Sequence, residues 1–128
     1  MNRLGELSTK RATIIAINFE SIFNKSPSLK DIILKDKLTR TFNDEYKDLT
    51  YRLYTKGFNV YITSFNDITK YKDILWGKYL FYNKLVVYDT LKDLAFDCKH
   101  IYSYYIDDVN ELGLLDNCYS LQHFKELI

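Results

Sequence analysis

Apolar and polar positions along the chain follow two alternating periods. "ATIIAIN", residues 12–18, is a short apolar run of the kind a strand covered on both faces needs. "SPSLKDIILKDKL" follows, with Pro27 near a helix start and Leu29, Ile32 and Ile33 on one face. "NDEYKDLTYRLYTKG" carries a complete set of helix signals. Asn43 is placed to cap, acidic residues fill the first turn, Gly57 is placed to stop, and Phe42, Tyr46, Leu49 and Leu53 form an apolar stripe. "FNVYITS" is a second strand. Asn66 is placed to cap a helix through "DITKYKDILWGKYL", whose stripe is Ile68, Tyr71, Leu75 and Tyr79. "KLVVYD" is a third strand, "TLKDLAFDCK" a short helix, and "HIYSYYIDD" a fourth strand with Tyr on both faces. "VNELGLLDN" is turn-like. A brief strand at "NCY" then precedes a helix "LQHFKELI" capped by Ser120, with Leu121, Phe124 and Leu127 facing inward.

Strands alternating with helices require right-handed crossovers and a mainly parallel sheet. The expected fold is α/β: one Rossmann-like, doubly wound domain over residues 1–128, with four to five strands and helices on both faces. A chain of 128 residues suits one domain and buries enough surface for a core without staples. With 47% hydrophobic and 27% charged residues, the chain is expected to be neither disordered nor membrane-spanning.

A net charge of +1 does not favour a nucleic-acid-neutralising role. No signal-peptide h-region opens the chain and no run reaches the roughly 18 apolar residues of a membrane helix, so a cytoplasmic, intracellular protein is expected. Cys98 and Cys118 have no metal-ligand spacing and read as reduced thiols. His100 and His123 flank no nucleophile pattern and read as structural. Lys, Asn, Ile and Tyr are abundant while Ala and Gly are scarce. Such usage follows A+T-rich codons and suits a viral or phage genome.

In an open parallel sheet, ligands bind beyond the carboxyl ends of the strands. The residues ending the expected strands are Asn18 and Glu20, Thr63 and Ser64, Asp89, and Asp107 and Asp108. All are polar. Adjacent carboxylates repel one another, and a hard cation such as Mg²⁺ relieves that repulsion. Taken alone, the pair also suits a plain turn, with Asp108 capping and Asp107 solvated. Ser64 is placed to bond a phosphate oxygen at a strand-to-helix junction, or simply to cap the helix.

In their order, these segments resemble the haloacid dehalogenase-like (HAD) phosphohydrolase superfamily. "IIAINFESIF" occupies the place of the family's first motif, an apolar strand ending in Asp-x-Asp. "GFNVYITSFND" looks like the second, a Ser or Thr ending the next strand, and "IYSYYIDDVNELG" like the fourth, a strand ending in acidic residues. The resemblance implies Mg²⁺ held by Asp107 and Asp108, a phosphate bound by Ser64, and a charge-balancing lysine. Lys92 is one candidate for that lysine, and Lys84 and Lys99 are others. The loops leave no room for a cap domain. In the family, that implies an open site acting on large substrates, or a lid borrowed from a partner.

The first motif departs from the family pattern. Its nucleophile position is Asn18 and its acid/base position is Glu20; Ser21 and Ile22 replace the usual Gly and Thr. A neutral amide is a far weaker nucleophile than a carboxylate. The extra methylene of Glu displaces its carboxyl by more than ~1 Å, which can cost on the order of 100-fold in rate. The expectation is therefore a catalytically impaired HAD-like protein that binds a protein partner or a phosphorylated ligand. The alternative is an unusual Mg²⁺-dependent phosphohydrolase. A receiver-like domain using Asp89 fits the order of the other segments less well.

One surface segment adds to this. "KYKDILWGKYLFYNK", residues 70–84, interleaves lysines with Trp76, Tyr79, Phe81 and Tyr82. Such interleaving can stack on and neutralise nucleic acid, and aromatic side chains of this kind also anchor protein interfaces; the plainer reading is an amphipathic helix with Tyr71, Leu75 and Tyr79 in the core and its lysines in water. The sole Trp lies off the apolar stripe and, if exposed, argues for a partner.

Overall fold

A computed structural model of the chain describes residues 13–22, 43–69, 72–107 and 117–127. The expected helix around Leu29, Ile32 and Ile33, the turn-like segment after Asp107, and Asp108 itself lie outside the described residues.

Among the described residues, five parallel strands form one sheet in the order β3-β2-β1-β4-β5. They are β1 (Ile14–Asn18), β2 (Asn59–Ser64), β3 (Lys84–Val87), β4 (Tyr104–Ile106) and β5 (Cys118–Tyr119). The helices are α1 (Asp44–Thr55), α2 (Lys72–Leu75), α3 (Leu91–His100) and α4 (Leu121–Leu127), and a 3₁₀ turn at Phe19–Ile22 follows β1. The α/β, Rossmann-like architecture expected from the periodicity is therefore present.

β1 is central and wholly covered, which is why it reads as an unbroken apolar run rather than an alternating one. Its register with β2 puts Ile15 beside Val60 and Ile17 beside Ile62. Its register with β4 puts Ala16 beside Tyr105 and Ile17 beside Ile106. Because side chains alternate across a strand, two separate cores result. On one face Ile15, Ile17, Val60, Ile62 and Ile106 pack with Tyr46, Leu49 and Leu53 of α1, Leu75 of α2 and Phe124 of α4. On the other face Ala16 and Tyr105 pack with Leu94 and Cys98 of α3, and with Tyr88 and Tyr102. Each fully buried large side chain of this kind contributes about 1.5–3 kcal/mol.

α1 forms where its signals place it. The Asn43 side chain accepts from the Glu45 N–H at 3.1 Å, and Asp44 and Glu45 occupy the first turn. Gly57 ends it with a φ of +91°, a left-handed conformation that costs other residues more. α3 begins at a Thr90 cap accepting from the Asp93 N–H. α4 begins at Ser120, whose hydroxyl accepts from the His123 N–H at 3.1 Å.

Two elements differ from expectation. The single helix expected from Asp67 to Leu80 is replaced by a turn, the one-turn helix α2 and a Trp76–Leu80 bridge. Asp67 accepts from its neighbour's backbone, the Thr69 N–H at 3.3 Å, and such local bonds compete with helix formation. Gly77 then takes a φ of +80°, which no α-helix accommodates. Ile68, Leu75 and Tyr79 are nevertheless all buried. The fourth strand begins at Tyr104, because α3 runs on through His100.

Candidate functional site: the carboxyl ends of β1, β2 and β4

The chain builds β1, β2 and β3 outward in one direction, then passes back to place β4 on the other side of β1. The carboxyl ends of β1 and β4 therefore flank the topological switch point, where doubly wound folds form their binding crevice. Asn18 ends β1, Ser64 ends β2 and Asp107 directly follows β4.

These side chains converge. The Asn18 amide donates through Nδ2 to Asp107 Oδ1 at 3.0 Å. The Ser21 hydroxyl donates to the same oxygen at 3.2 Å. Asn18 Oδ1 accepts from the Glu20 backbone N–H at 3.1 Å, so the amide is engaged at both its nitrogen and its oxygen. This last bond folds the chain into the 3₁₀ turn and aims Glu20 toward β2. There Glu20 Oε1 accepts from Ser64 Oγ at 2.9 Å and from Asn66 Nδ2 at 3.0 Å. Ser64 Oγ also accepts from the Asn66 N–H at 3.0 Å. Asn18, Ser21 and Ser64 are buried. In this sheltered setting the bonds to Glu20 and Asp107 are charge-assisted, each worth roughly 1.5–3 kcal/mol.

Burial shapes the surroundings as well. Tyr105, on β4 beside Asp107, is fully buried. Its phenol is held well above the usual tyrosine range by burial first and then by the Asp107 charge. Thr63 Oγ1 donates to the Ile17 carbonyl at 3.4 Å, binding the ends of β1 and β2 together. The crevice floor is thus a hydrogen-bonded plate of side chains on three adjacent strands.

Asn18, Glu20, Ser64 and Asp107, all expected from the sequence to line one site, do meet. Lys92 does not join them. It is exposed in the first turn of α3. Lys84 lies over the Tyr61 ring at 5.7 Å, and Lys99 is exposed near the end of α3. Asp89 is exposed after β3, at the sheet edge rather than in the middle. Two members of the plate were not expected. Ser21 was read only as a replacement for a smaller residue. Asn66 was read as a helix cap, but its side chain instead reaches Glu20. The spacing Ser64-x-Asn66, at the end of a strand, is the signal that marks it.

Asp108, the other residue expected to hold Mg²⁺, lies outside the described residues. Mg²⁺ takes oxygen ligands, whereas Asn18 turns an N–H donor toward Asp107. Among the described residues no cluster of three or more His, Cys, Asp or Glu side chains is assembled. The amide supplies the positive end of a dipole to the Asp107 carboxylate.

A second feature lies on the face of the molecule where α1 packs. Tyr51, Tyr54, Trp76 and Phe81 form a cluster of edge-to-face and tilted ring contacts, with centroids 5.2–6.4 Å apart. Trp76 is fixed by its Nε1–H donating to the Tyr82 carbonyl at 3.1 Å. Tyr51 is still 53% exposed and Trp76 47% exposed. A cavity of about 430 Å³ adjoins it, lined by Lys72, Asp73, Trp76, Tyr82 and Asn83. No helix among the described residues is long and apolar enough to cross a membrane.

Comparison with protein-family models, curated proteins and solved structures returns no match.

Proposed function

We propose that this chain is a catalytically impaired HAD-like module that acts by binding a protein partner. The observation that carries this reading is the double engagement of Asn18. Its nitrogen donates to Asp107 and its oxygen accepts from the Glu20 N–H. The group in the nucleophile position is therefore neutral, buried and held by neighbours, with no carboxylate to attack phosphorus. Glu20, in the acid/base position, is likewise bonded to Ser64 and Asn66.

Of the two ligand classes that the sequence suggested, the geometry favours a protein over a phosphorylated molecule. The hydroxyl of Ser64, which would greet a phosphate, already donates to Glu20 and accepts from Asn66. Exposed, pre-ordered aromatic rings are present instead at Tyr51 and Trp76. Rigid aromatic anchors beside a pocket are the usual energetic centre of a protein interface. The polar plate then serves to hold β1, β2 and β4 in register.

Affinity capture from the cell of origin tests this reading. It compares the unchanged protein, a Tyr51→Ser/Trp76→Ser double variant and a Ser64→Ala variant. The expected partner is retained by the unchanged protein and by Ser64→Ala, and lost from the double variant. Loss from Ser64→Ala with retention by the double variant would move the binding site to the crevice and overturn the assignment.

A further inference from the structure

The two cysteines are 20 positions apart in the chain, at 98 and 118, yet they share one side of the sheet. Cys98 lies on the inner face of α3 and is fully buried in the second core. Cys118 lies in β5, the edge strand, and packs partly buried against that same core. Its register partner on β4 is Tyr105, another member of that core. Asn117 ties the two positions together. Its side-chain amide donates to the backbone carbonyls of Cys98 at 2.5 Å and Tyr102 at 2.8 Å. The residue preceding one cysteine is therefore anchored on the backbone of the other. Each thiol is the largest influence on the other's titration, raising Cys98 and lowering Cys118. Both are free.

We propose that Cys98 and Cys118 are a redox-responsive pair that closes to an intramolecular disulfide when the protein meets a peroxide. The asymmetry of the pair sets the order of events. Cys118 is the more accessible residue of the two, and its neighbour Cys98 holds its pKa below the ordinary thiol value. It is the attacking group. Cys98 is screened by burial, and both its neighbour Cys118 and that burial hold its thiol well above the ordinary range. It is the resolving group.

In the first step the Cys118 thiolate attacks one peroxide oxygen. An S–O bond forms, the O–O bond breaks, and the departing hydroxide takes a proton to leave as water. In the second step the Cys98 sulfur attacks Cys118. The S–S bond forms, the S–O bond breaks, and the leaving hydroxide carries off the Cys98 proton as a second water. Two thiols are oxidised by two electrons, and one peroxide is reduced to two waters.

The bond would staple α3 to the edge strand. β5 pairs with β4 up to the crevice, where the Asp107 N–H donates to the Tyr119 carbonyl at 2.9 Å. Closure therefore restrains the strand end that carries Asp107.

The test is to expose the folded full-length chain to hydrogen peroxide, block remaining thiols with a maleimide, and measure the intact mass with and without dithiothreitol. The expected result is joint loss of both thiols in a monomer whose mass falls by two hydrogen atoms, reversed by dithiothreitol, with the peptides carrying Cys98 and Cys118 cross-linked. In Cys98→Ser the sulfenic acid on Cys118 should persist and be trapped by dimedone. In Cys118→Ser the Cys98 thiol should survive the same dose. If either variant fails to fold, the cross-linked peptide of the unchanged protein decides the matter alone. Retention of both thiols, oxidation of one sulfur only, or a disulfide solely between two chains would overturn the proposal.

Discussion

Replacing Asn18 by Asp changes one atom's chemistry and almost no volume, so its effect reports on electrostatics alone. In the native protein Asn18 Nδ2 donates to Asp107 Oδ1 at 3.0 Å. Asn18→Asp puts a carboxylate oxygen there instead. Two unit charges ~3 Å apart, at an effective dielectric of ~20, repel by about 5 kcal/mol. The charge-assisted hydrogen bond, worth roughly 1.5–3 kcal/mol, is lost as well. The pair lowers this cost by keeping one proton, which raises the pKa of the introduced carboxyl above its unfolded value. A net loss of about 3–5 kcal/mol near pH 7.5 follows, a large share of the roughly 5–15 kcal/mol of an ordinary domain.

The pH dependence has a defined sign. A carboxyl whose folded pKa is raised destabilises least at low pH, where it is protonated in both states, and most once the unfolded chain ionises. The deficit of Asn18→Asp should therefore shrink below about pH 4.5 and grow toward neutrality. Millimolar Mg²⁺ should restore part of it, because two facing carboxylates are what a hard cation takes. Urea denaturation of both proteins at pH 4.5 and 7.5, with and without Mg²⁺, measures all three effects. Equal stability of the two proteins at pH 7.5 without Mg²⁺ would refute the role given to the Asn18 amide.

Other outcomes follow from the same structure. Thr50 is fully buried in α1, and its hydroxyl accepts from the Phe81 N–H at 3.1 Å; Thr50→Val should cost about 1–3 kcal/mol by stranding that N–H, read as a lower urea midpoint with unchanged slope. Asn43→Ala removes the cap of α1 and should cost about 1 kcal/mol, visible as a lower melting temperature. At alkaline pH the buried phenols come into play. Burial first, with Asp73 next, pushes Tyr82 up to about 12, and burial likewise pushes Tyr102 up to about 12. Below about pH 10 these phenols are protonated in both states and cost nothing. Above it the unfolded chain ionises first, so stability falls as pH rises through about 10–12, on the order of 2 kcal/mol per phenol. Phenolate absorbance should show these groups titrating only as the fold is lost; a single transition near pH 10 with the fold intact would contradict their burial.

Much of the fold was legible because its strands announce themselves in two ways at once. "IIAI", residues 14–17, is apolar throughout since β1 is covered on both faces, and each strand's polar end marks the edge of the buried layer. That second cue places Asn18, Ser64 and Asp107 at one site. What was not legible was continuity. Ile68, Leu75 and Tyr79 keep helical spacing and are all buried, yet a turn at Gly77 separates Leu75 from Tyr79. Periodicity reports which side chains go inward, while Asp67 and Gly77 decide locally whether a helix carries them there. Hydrogen-bond partners were also beyond reach. Glu20 was read as a displaced acid/base, but its longer side chain spans to β2 and finds Ser64 and Asn66. The placing of Cys98 and Cys118 at one core depends on the edge position of β5, which spacing along the chain does not encode.

The proposed binding role requires that Asn18, held at both its nitrogen and its oxygen, support no phosphoryl chemistry in this crevice. Its most direct test is hydrolysis of a generic aryl phosphate by the unchanged protein in Mg²⁺, beside the Asp108→Ala variant. The expected result is no turnover above the enzyme-free blank in either. Mg²⁺-dependent turnover by the unchanged protein that vanishes in Asp108→Ala would contradict it.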